Sequence, residues 1–216
     1  MKLLKWIVPV FIFLMLTSSD SEILWAAPSA GDHLKMIETF SHSIELNPQN
    51  ATAYYNRGLT FYLEKKFPEA AYDFSKAIEI RPDYFKAIFN LGVAQLGMGD
   101  FESATKSFTR VIEIKPDAAD AYLNRAKCYK ELKRLDEAVS DYNQMLKISP
   151  QNADALYSRG FIYGMQGRMD AAIASYSKAI DVKTGYKSAY YQRAMAWQKK
   201  GETSRAYDDL LHTAGA

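Results

Sequence analysis

Five polar side chains recur at intervals of 34 residues and have the chemistry to hold the backbone of an extended peptide. They are Asn56, Asn90, Asn124, Ser158 and Gln192. Four of them carry an amide, which both donates and accepts hydrogen bonds and so matches the N–H and C=O groups of a peptide backbone. A ladder of such side chains predicts a peptide-binding surface rather than a reaction centre.

Large, mostly hydrophobic side chains accompany this ladder at fixed offsets. Directly before the polar residues stand Tyr55, Phe89, Leu123, Tyr157 and Tyr191, and three residues after them stand Leu59, Val93, Lys127, Phe161 and Met195. Steps of three and four residues place these side chains on one face of a helix, where they can receive the side chains of a bound peptide. In the alternative interpretation they pack as core and the polar residues only solvate the surface.

No set of residues in the sequence predicts catalysis. His33, His42 and His212 lie far apart, and the chain has no paired His and Cys spacing, phosphate-binding loop or zinc-binding helix motif. Cys128 is the single cysteine, and it stands where the corresponding places carry Thr, Ala or Ile. We therefore expect a buried thiol with a packing role, and a protein that is not an enzyme and uses neither a cofactor nor a metal.

The elements that position these side chains follow from a 34-residue period. Pro48, Pro82, Pro116 and Pro150 stand 34 residues apart. The chain aligns as residues 51–84, 85–118, 119–152, 153–186 and a shorter segment, 187–216. Positions are numbered from the first residue of each segment, so the polar ladder occupies position 6. A period of this size is typical of a stack of helix pairs.

Small and large residues keep their places in every segment. Positions 3 and 20 are always alanine and position 8 is glycine or alanine, whereas large side chains fill positions 4 and 24 and most of position 11. This spacing predicts two helices that approach each other closely. Gly99, Gly167 and Gly201 at position 15 predict the end of the first helix, and Pro68 predicts the start of the second helix.

These columns resemble the tetratricopeptide repeat, which places a large residue at 4, a small one at 8, an aromatic at 11 and 24, alanine at 20 and proline at 32. The resemblance covers Ala51 to about His212, and residues 32–50 look like the second helix of a degenerate preceding repeat. It implies an all-α fold, a right-handed α-solenoid of antiparallel helix pairs, with five repeats after an N-terminal half-repeat helix.

In this family the ladder face lines a concave groove, so the resemblance implies a scaffold that binds a protein or peptide there. The ladder is similar to the asparagine ladder in the repeat domain of the O-linked N-acetylglucosamine transferase, although this chain has no room for a transferase domain.

The family's lysine and arginine clamp for a C-terminal carboxylate is not matched. RNA-reading repeats of about 35 residues fit less well, and a net charge of +2 does not favour nucleic acid as the partner.

Arginine and aspartate recur together at positions 7 and 23. The pairs are Arg57 with Asp73, Arg125 with Asp141, and Arg193 with Asp209. The second repeat has Leu91 and Ser107 at these places, and the fourth has Arg159 with Ser175. We expect each Arg and Asp of one repeat to meet across the helix pair in a structural ion pair.

A structural role is the alternative function: a solenoid that self-associates or joins an envelope assembly through its ends. The last repeat is expected to leave Trp197, Ala206, Leu210 and Leu211 partly uncovered, because no polar capping helix follows them. Exposed apolar surface often marks an interface. We therefore expect weak self-association, or docking of a partner, through this edge.

The N-terminus has the order of an export signal. Lys2 and Lys5 precede an uncharged run from Trp6 to Ser19, and an alanine-rich stretch follows. The run has 14 residues, whereas a membrane-spanning helix needs about 20. The sequence thus favours a signal peptide over residues 1–26 and a periplasmic or secreted protein. The alternative is an uncleaved membrane anchor formed by residues 6–19.

The export prediction is tested on native protein. N-terminal sequencing is expected to give a start between Ser19 and Gly31, because signal peptidases cut after small residues that follow an apolar run. Recovery of an intact Met1 in the membrane fraction would instead establish the anchor.

Overall fold

A computed structural model describes residues 30–214, which form eleven helices and no strand. Helix α1 spans Ala30–Leu46. Five helix pairs follow: α2 (Ala51–Leu63) and α3 (Phe67–Ile80), α4 (Phe85–Gly97) and α5 (Phe101–Ile114), α6 (Ala119–Glu131) and α7 (Leu135–Ile148), α8 (Ala153–Met165) and α9 (Met169–Val182), and α10 (Lys187–Lys199) and α11 (Thr203–Ala214). The all-α prediction is confirmed.

Helix α1 packs against α2 in the place of a second helix. It ends at Leu46, and a turn leads to Asn50, whose side chain accepts a hydrogen bond from the Ala53 amide and caps α2. The predicted signal, residues 1–26, lies outside the described residues. Within residues 30–214, no helix has both the length and the apolar character needed to span a membrane.

The first helices of successive pairs form the inner layer of the stack. Every helix packs on the next one along the chain, and in addition α2 contacts α4, α4 contacts α6, and α8 contacts α10. The first helices therefore lie close together along one face. This arrangement places the polar ladder, which all five first helices carry, on that face.

Small residues determine how closely the two helices of a pair approach. A Cβ atom added to Gly58 would lie 2.9 Å from the ring of Phe74, and one added to Gly160 would lie 2.7 Å from the ring of Tyr176. Both rings are fully buried. Glycine at position 8 thus makes room for the aromatic ring at position 24.

A left-handed residue ends the first helix of every pair. Gly99, Gly167 and Gly201 have φ values of 78°, 75° and 81°, as the sequence predicts. In the first and third repeats the same place is held by Lys65 and Lys133, with φ values of 59° and 61°. The tight connection thus keeps its geometry even where a side chain makes that backbone conformation less favourable.

Three arginines form the predicted ion pairs. Arg57 donates two hydrogen bonds of 2.8 Å to the carboxylate of Asp73. Arg125 does the same to Asp141, at 2.7 and 2.8 Å, and Arg193 to Asp209, at 2.8 and 2.6 Å. All three aspartates are buried. The expectation from the paired columns is confirmed.

Each of these arginines also reaches a third helix. The remaining guanidinium nitrogen donates to a hydroxyl on the preceding second helix: Arg57 to Ser41, Arg125 to Thr109 and Arg193 to Ser177. We call each such arginine with its two polar partners an arginine clamp. Because one planar group joins three helices, the clamp fixes a repeat against the one before it.

The second and fourth repeats lack the Arg–Asp pair and form other hydrogen bonds at these positions. In the fourth, Arg159 donates to Ser175 and to Asn143, and burial lowers its pKa because no carboxylate accompanies it. In the second, Leu91 replaces the arginine, and Ser107 donates to Gln95 at 2.7 Å. Neither repeat therefore buries an aspartate without its cation.

The C-terminal edge is less open than the sequence predicts. Ala206 is buried, and Trp197 and Leu210 are half-buried. The guanidinium of Arg205 covers Trp197, 4.7 Å from the ring centroid. Leu211 is 43% exposed. The expectation of uncovered surface is thus wrong for Ala206 and holds best for Leu211, and self-association through this edge stays a prediction.

The clamp of the first repeat gives a stability prediction. R57L is expected to lower the free energy of unfolding by about 3 kcal/mol, because it leaves Asp73 buried without its cation. The double variant R57L/D73S, which copies Leu91 and Ser107 of the second repeat, is expected to recover most of this loss. Equal losses in the single and double variants, measured by denaturant unfolding, would contradict this account.

The same variant has a predicted pH dependence. Burial raises the pKa of Asp73, and hydrogen bonds from Arg57 oppose the rise. Without Arg57 the folded state binds a proton at pH values where the unfolded chain is ionised. The loss in free energy of unfolding caused by R57L is therefore expected to be small in acid. It grows as the pH rises through the pKa that Asp73 has in the folded variant. R57L/D73S lacks the carboxylate and serves as the control.

Candidate functional site

The ladder of polar side chains lies on the inner face, but its members have different partners. The amide of Asn90 donates to the hydroxyl of Tyr55 at 3.1 Å, which joins the first and second repeats. Tyr55 itself is buried, and that burial, opposed by the bond from Asn90, raises its pKa to about 12. Tyr55 and Asn90 were expected to be groove contacts, and they instead support each other within the structure.

Other ladder residues are also occupied by the protein itself. Asn124 donates to the carbonyl of Asp120 on its own helix, and its side-chain oxygen accepts from Lys127 at 3.4 Å. Ser158 interacts with Tyr142 and opposes the rise in pKa that burial gives that phenol. By contrast, the side-chain amides of Asn56 and Gln192 form no hydrogen bond with any residue in the described range 30–214. Two of the five ladder residues therefore have no hydrogen-bond partner for their amides among the described residues.

The large residues at position 5 pack partly as core. The ring of Tyr55 lies 5.0 Å from Tyr84, that of Phe89 lies 5.5 Å from Phe108, and that of Tyr157 lies 5.3 Å from Tyr186. At position 9, Leu59 and Val93 also pack against buried clusters. In the first two repeats Tyr55 is thus buried and Phe89, Leu59 and Val93 are partly buried, and their contact with a ligand stays a prediction.

The inner face opens at the fourth and fifth repeats. A cleft of about 190 Å³ lies between α8 and α10, and Met165, Met169 and Met195 line it together with Phe161, Tyr176, Gln192 and Lys199. We call it the methionine cleft. Phe161 and Met165 are 38% and 43% exposed, so apolar side chains border this cleft without covering it.

A second cleft continues along α10 towards its N-terminus. It measures about 300 Å³, and Tyr157, Lys187, Ser188, Tyr191, Gln192 and Thr213 line it. We call it the tyrosine cleft, and the two together the C-terminal trough. Gln192 belongs to both clefts, so its free amide stands at the middle of the trough.

The trough brings together five residues that the sequence predicts for the groove: Tyr157, Phe161, Tyr191, Gln192 and Met195. Sequence reasoning missed Met165, Met169, Lys187 and Lys199. Met165 and Lys199 stand at position 13, one helical turn beyond position 9, so extending the stripe by four residues finds them. Met169 starts the second helix of its pair, and no periodic signal marks it.

The described residues offer no apparent catalytic centre. Between residues 30 and 214, no three His, Cys, Asp or Glu side chains cluster so that they could hold a metal ion. Cys128 is fully buried, and burial raises the pKa of its thiol to about 11, which makes it a poor nucleophile. The side chains of the trough are suited to binding rather than to reaction.

Comparison with known families supports this picture. The tetratricopeptide repeat family matches residues 51–84, 89–153 and 153–183, together more than half of the chain. None of the curated proteins matches this sequence.

Solved structures show the same fold. A crystal structure of MamA has a TM-score of 0.71 at 22% identity and matches 73% of this chain and 92% of its own. MamA 41-end from Desulfovibrio magneticus RS-1 has a TM-score of 0.73 at 17% identity, and the match covers 76% of this chain and 93% of that one. YrrB, described as a TPR protein with an unusual peptide-binding site, has a TM-score of 0.71 at 17% identity. The match covers 82% of this chain and 91% of the YrrB chain. The predicted right-handed solenoid is confirmed.

The division of the ladder into occupied and free amides can be tested by unfolding. N90A is expected to cost about 1 kcal/mol, because the hydroxyl of Tyr55 loses its donor. N56A removes an amide without a partner among the described residues, so its effect is expected to stay within about 0.5 kcal/mol. In the double variant Y55F/N90A the losses in free energy of unfolding from the two substitutions are expected not to add, since both substitutions remove the same hydrogen bond. Equal costs for N90A and N56A would show that the bond has no role.

Proposed function

Because this chain belongs to the tetratricopeptide repeat family, we propose that it is a non-enzymatic scaffold that binds an extended segment of a partner protein on the inner face of its first helices. Repeat proteins of this kind present long concave surfaces, and extended segments fit them through backbone hydrogen bonds and side-chain pockets. The family is generally non-enzymatic, which agrees with the chemistry of the side chains on this face.

The C-terminal trough is the observation that carries the proposal. It combines the amide of Gln192, which has no hydrogen-bond partner among the described residues, with the apolar methionine cleft on one side and the mixed aromatic and polar tyrosine cleft on the other. The amide can bond to a peptide backbone, while the clefts take neighbouring side chains. In the first two repeats Tyr55 and Asn90 bond to each other and Leu59 and Val93 pack against buried clusters, so we place the binding site at the fourth and fifth repeats, where the clefts lie.

The exposure of the trough residues favours binding over a purely structural role for this face. Phe161 and Met165 on α8 border the methionine cleft and are 38% and 43% exposed, and Tyr191 on α10 borders the tyrosine cleft and is 48% exposed. Exposed apolar surface gathered at a cleft commonly marks an interaction site. Aromatic residues and methionine are also the side chains that interfaces favour.

The compartment of this binding activity follows from the N-terminal sequence. We propose that residues 1–26 direct export and that the solenoid meets its partner in the periplasm or outside the cell. If residues 6–19 remain as an anchor, the same groove acts at a membrane surface. The partner is a protein or peptide in either case, since a net charge of +2 gives nucleic acid little electrostatic attraction.

Site-specific photocrosslinking in the native source tests the proposal. A photoreactive phenylalanine analogue replaces Tyr191 in the trough or, as a matched control, Tyr72 on α3, an aromatic residue that is 60% exposed on a second helix. A covalent adduct with another protein is expected from position 191 only, because only that side chain faces the proposed ligand. The adduct is identified by mass spectrometry.

Two outcomes contradict the proposal. Equal adducts from both positions would show non-specific contact with the surface. An adduct that contains two copies of this chain, formed from either position, would support the alternative structural role through self-association.

A further inference from the structure

We propose that the C-terminal trough selects a peptide segment in which one large apolar side chain lies between two acidic residues. This inference rests on the proposed function and adds the chemistry of the ligand. Three features of the trough carry it: the size of the methionine cleft, the position of Gln192, and two lysines that stand at opposite ends of α10.

The methionine cleft has the size and lining for one large apolar side chain. Its volume is about 190 Å³. A cavity of about 150 Å³ with an apolar lining holds benzene, so this cleft accommodates a phenylalanine, leucine or methionine side chain. Three of the lining residues, Met165, Met169 and Met195, are flexible and polarizable, which lets them close around either a ring or an unbranched chain.

The lysines give the trough its charge. Lys199 borders the methionine cleft and Lys187 borders the tyrosine cleft. Neither forms an ion pair with a residue in the described part of the chain, whereas the neighbouring Lys200 pairs with Asp170. Both ends of the trough therefore present an uncompensated positive charge, which complements an acidic side chain of the ligand.

The geometry also sets the spacing of the acidic residues. Lys187 and Lys199 begin and end α10, so they lie about 18 Å apart along the helix axis at 1.5 Å per residue. An extended peptide advances about 3.3 Å per residue. Acidic residues separated by about six positions match this distance. The methionine cleft lies towards the Lys199 end of α10, so the apolar residue stands about two positions from the acidic residue at that end. Gln192 then meets the backbone between the apolar residue and one end.

The charges also determine which ligands are excluded. A segment with lysine or arginine at both ends places like charges beside Lys187 and Lys199, which opposes binding. The apolar side chain supplies most of the affinity, because the two charge pairs are exposed to solvent and each contributes little. The acidic residues therefore act mainly on selectivity and on the salt dependence of binding.

A synthetic heptapeptide tests the inference. The probe is fluorescein-labelled Asp-Ser-Ser-Ser-Phe-Ser-Asp, and its binding to the protein is followed by fluorescence anisotropy. Replacing Phe by Ser in the probe is expected to weaken binding about tenfold or more, because the methionine cleft is left empty. Replacing both Asp residues by Lys is expected to weaken it about tenfold at low salt and less at high salt.

Charge-reversed protein variants test whether Lys187 and Lys199 set the preference for acidic flanking residues. K187E/K199E is expected to reverse the preference, so that the Lys-flanked probe binds more tightly than the Asp-flanked one. The matched control, K147E/K178E, makes the same change in net charge on exposed lysines of α7 and α9, which are second helices. It is expected to retain the preference of the parent protein.

The results separate this inference from the proposed function. The inference is overturned if no probe binds, if the Asp-flanked and Lys-flanked probes bind equally, or if both charge-reversed variants change preference alike. Should any of these occur while position 191 still crosslinks to a partner, the scaffold function stands and only the ligand chemistry proposed here is wrong. Circular dichroism of each variant confirms that the helices remain folded.

Discussion

The contact between the large side chain at position 24, an aromatic ring in four of the five pairs, and the small residue at position 8 sets the distance between the two helices of a pair. At Gly58 and Gly160 the ring is so close that a Cβ atom would overlap it. The binding surface depends on this contact too. Tyr176 packs on Gly160, lies 5.8 Å from the ring of Tyr157, and forms part of the wall of the methionine cleft. A change in helix spacing would therefore change the shape of the cleft.

Arginine clamps perform the complementary task of fixing one repeat on the next. Apolar packing is tolerant of small rotations, whereas a guanidinium that bonds to two neighbouring helices, and so joins three, requires one orientation. The cations are also held in place by aromatic rings of their own helix, since Arg57 lies over Tyr54 and Phe61. Leu91 interrupts this series at the second repeat, where Ser107 and Gln95 form a local bond instead. We therefore expect the clamps to specify geometry more than they add net stability, since the cost of burying both charges offsets much of their attraction.

The two halves of the inner face use the same residue types in different ways. Near the N-terminus, Tyr55 and Asn90 bond to each other and close the surface. Near the C-terminus, Tyr191 is exposed and Gln192 has no partner among the described residues, so both remain available. Tyr84 and Tyr186 occupy the same place in their repeats, and each packs beside the tyrosine at position 5, Tyr55 or Tyr157. The two halves therefore differ through the neighbours of each ladder residue, and this difference is the ground for the proposed position of the site.

The sequence by itself determined the helices, their pairing and the ion pairs between Arg57, Arg125 and Arg193 and their aspartates. These features depend on contacts within one repeat or between adjacent ones, and a fixed period records such contacts directly. The periodic pattern also identified the inner face. It could not show which ladder residues are free, because Asn90 and Gln192 look alike in sequence and differ only in what the next repeat brings to them. The clefts were decided by the tertiary structure for the same reason: Met169 and Tyr176 come from a second helix and meet Met195 only when α9 and α10 pack together.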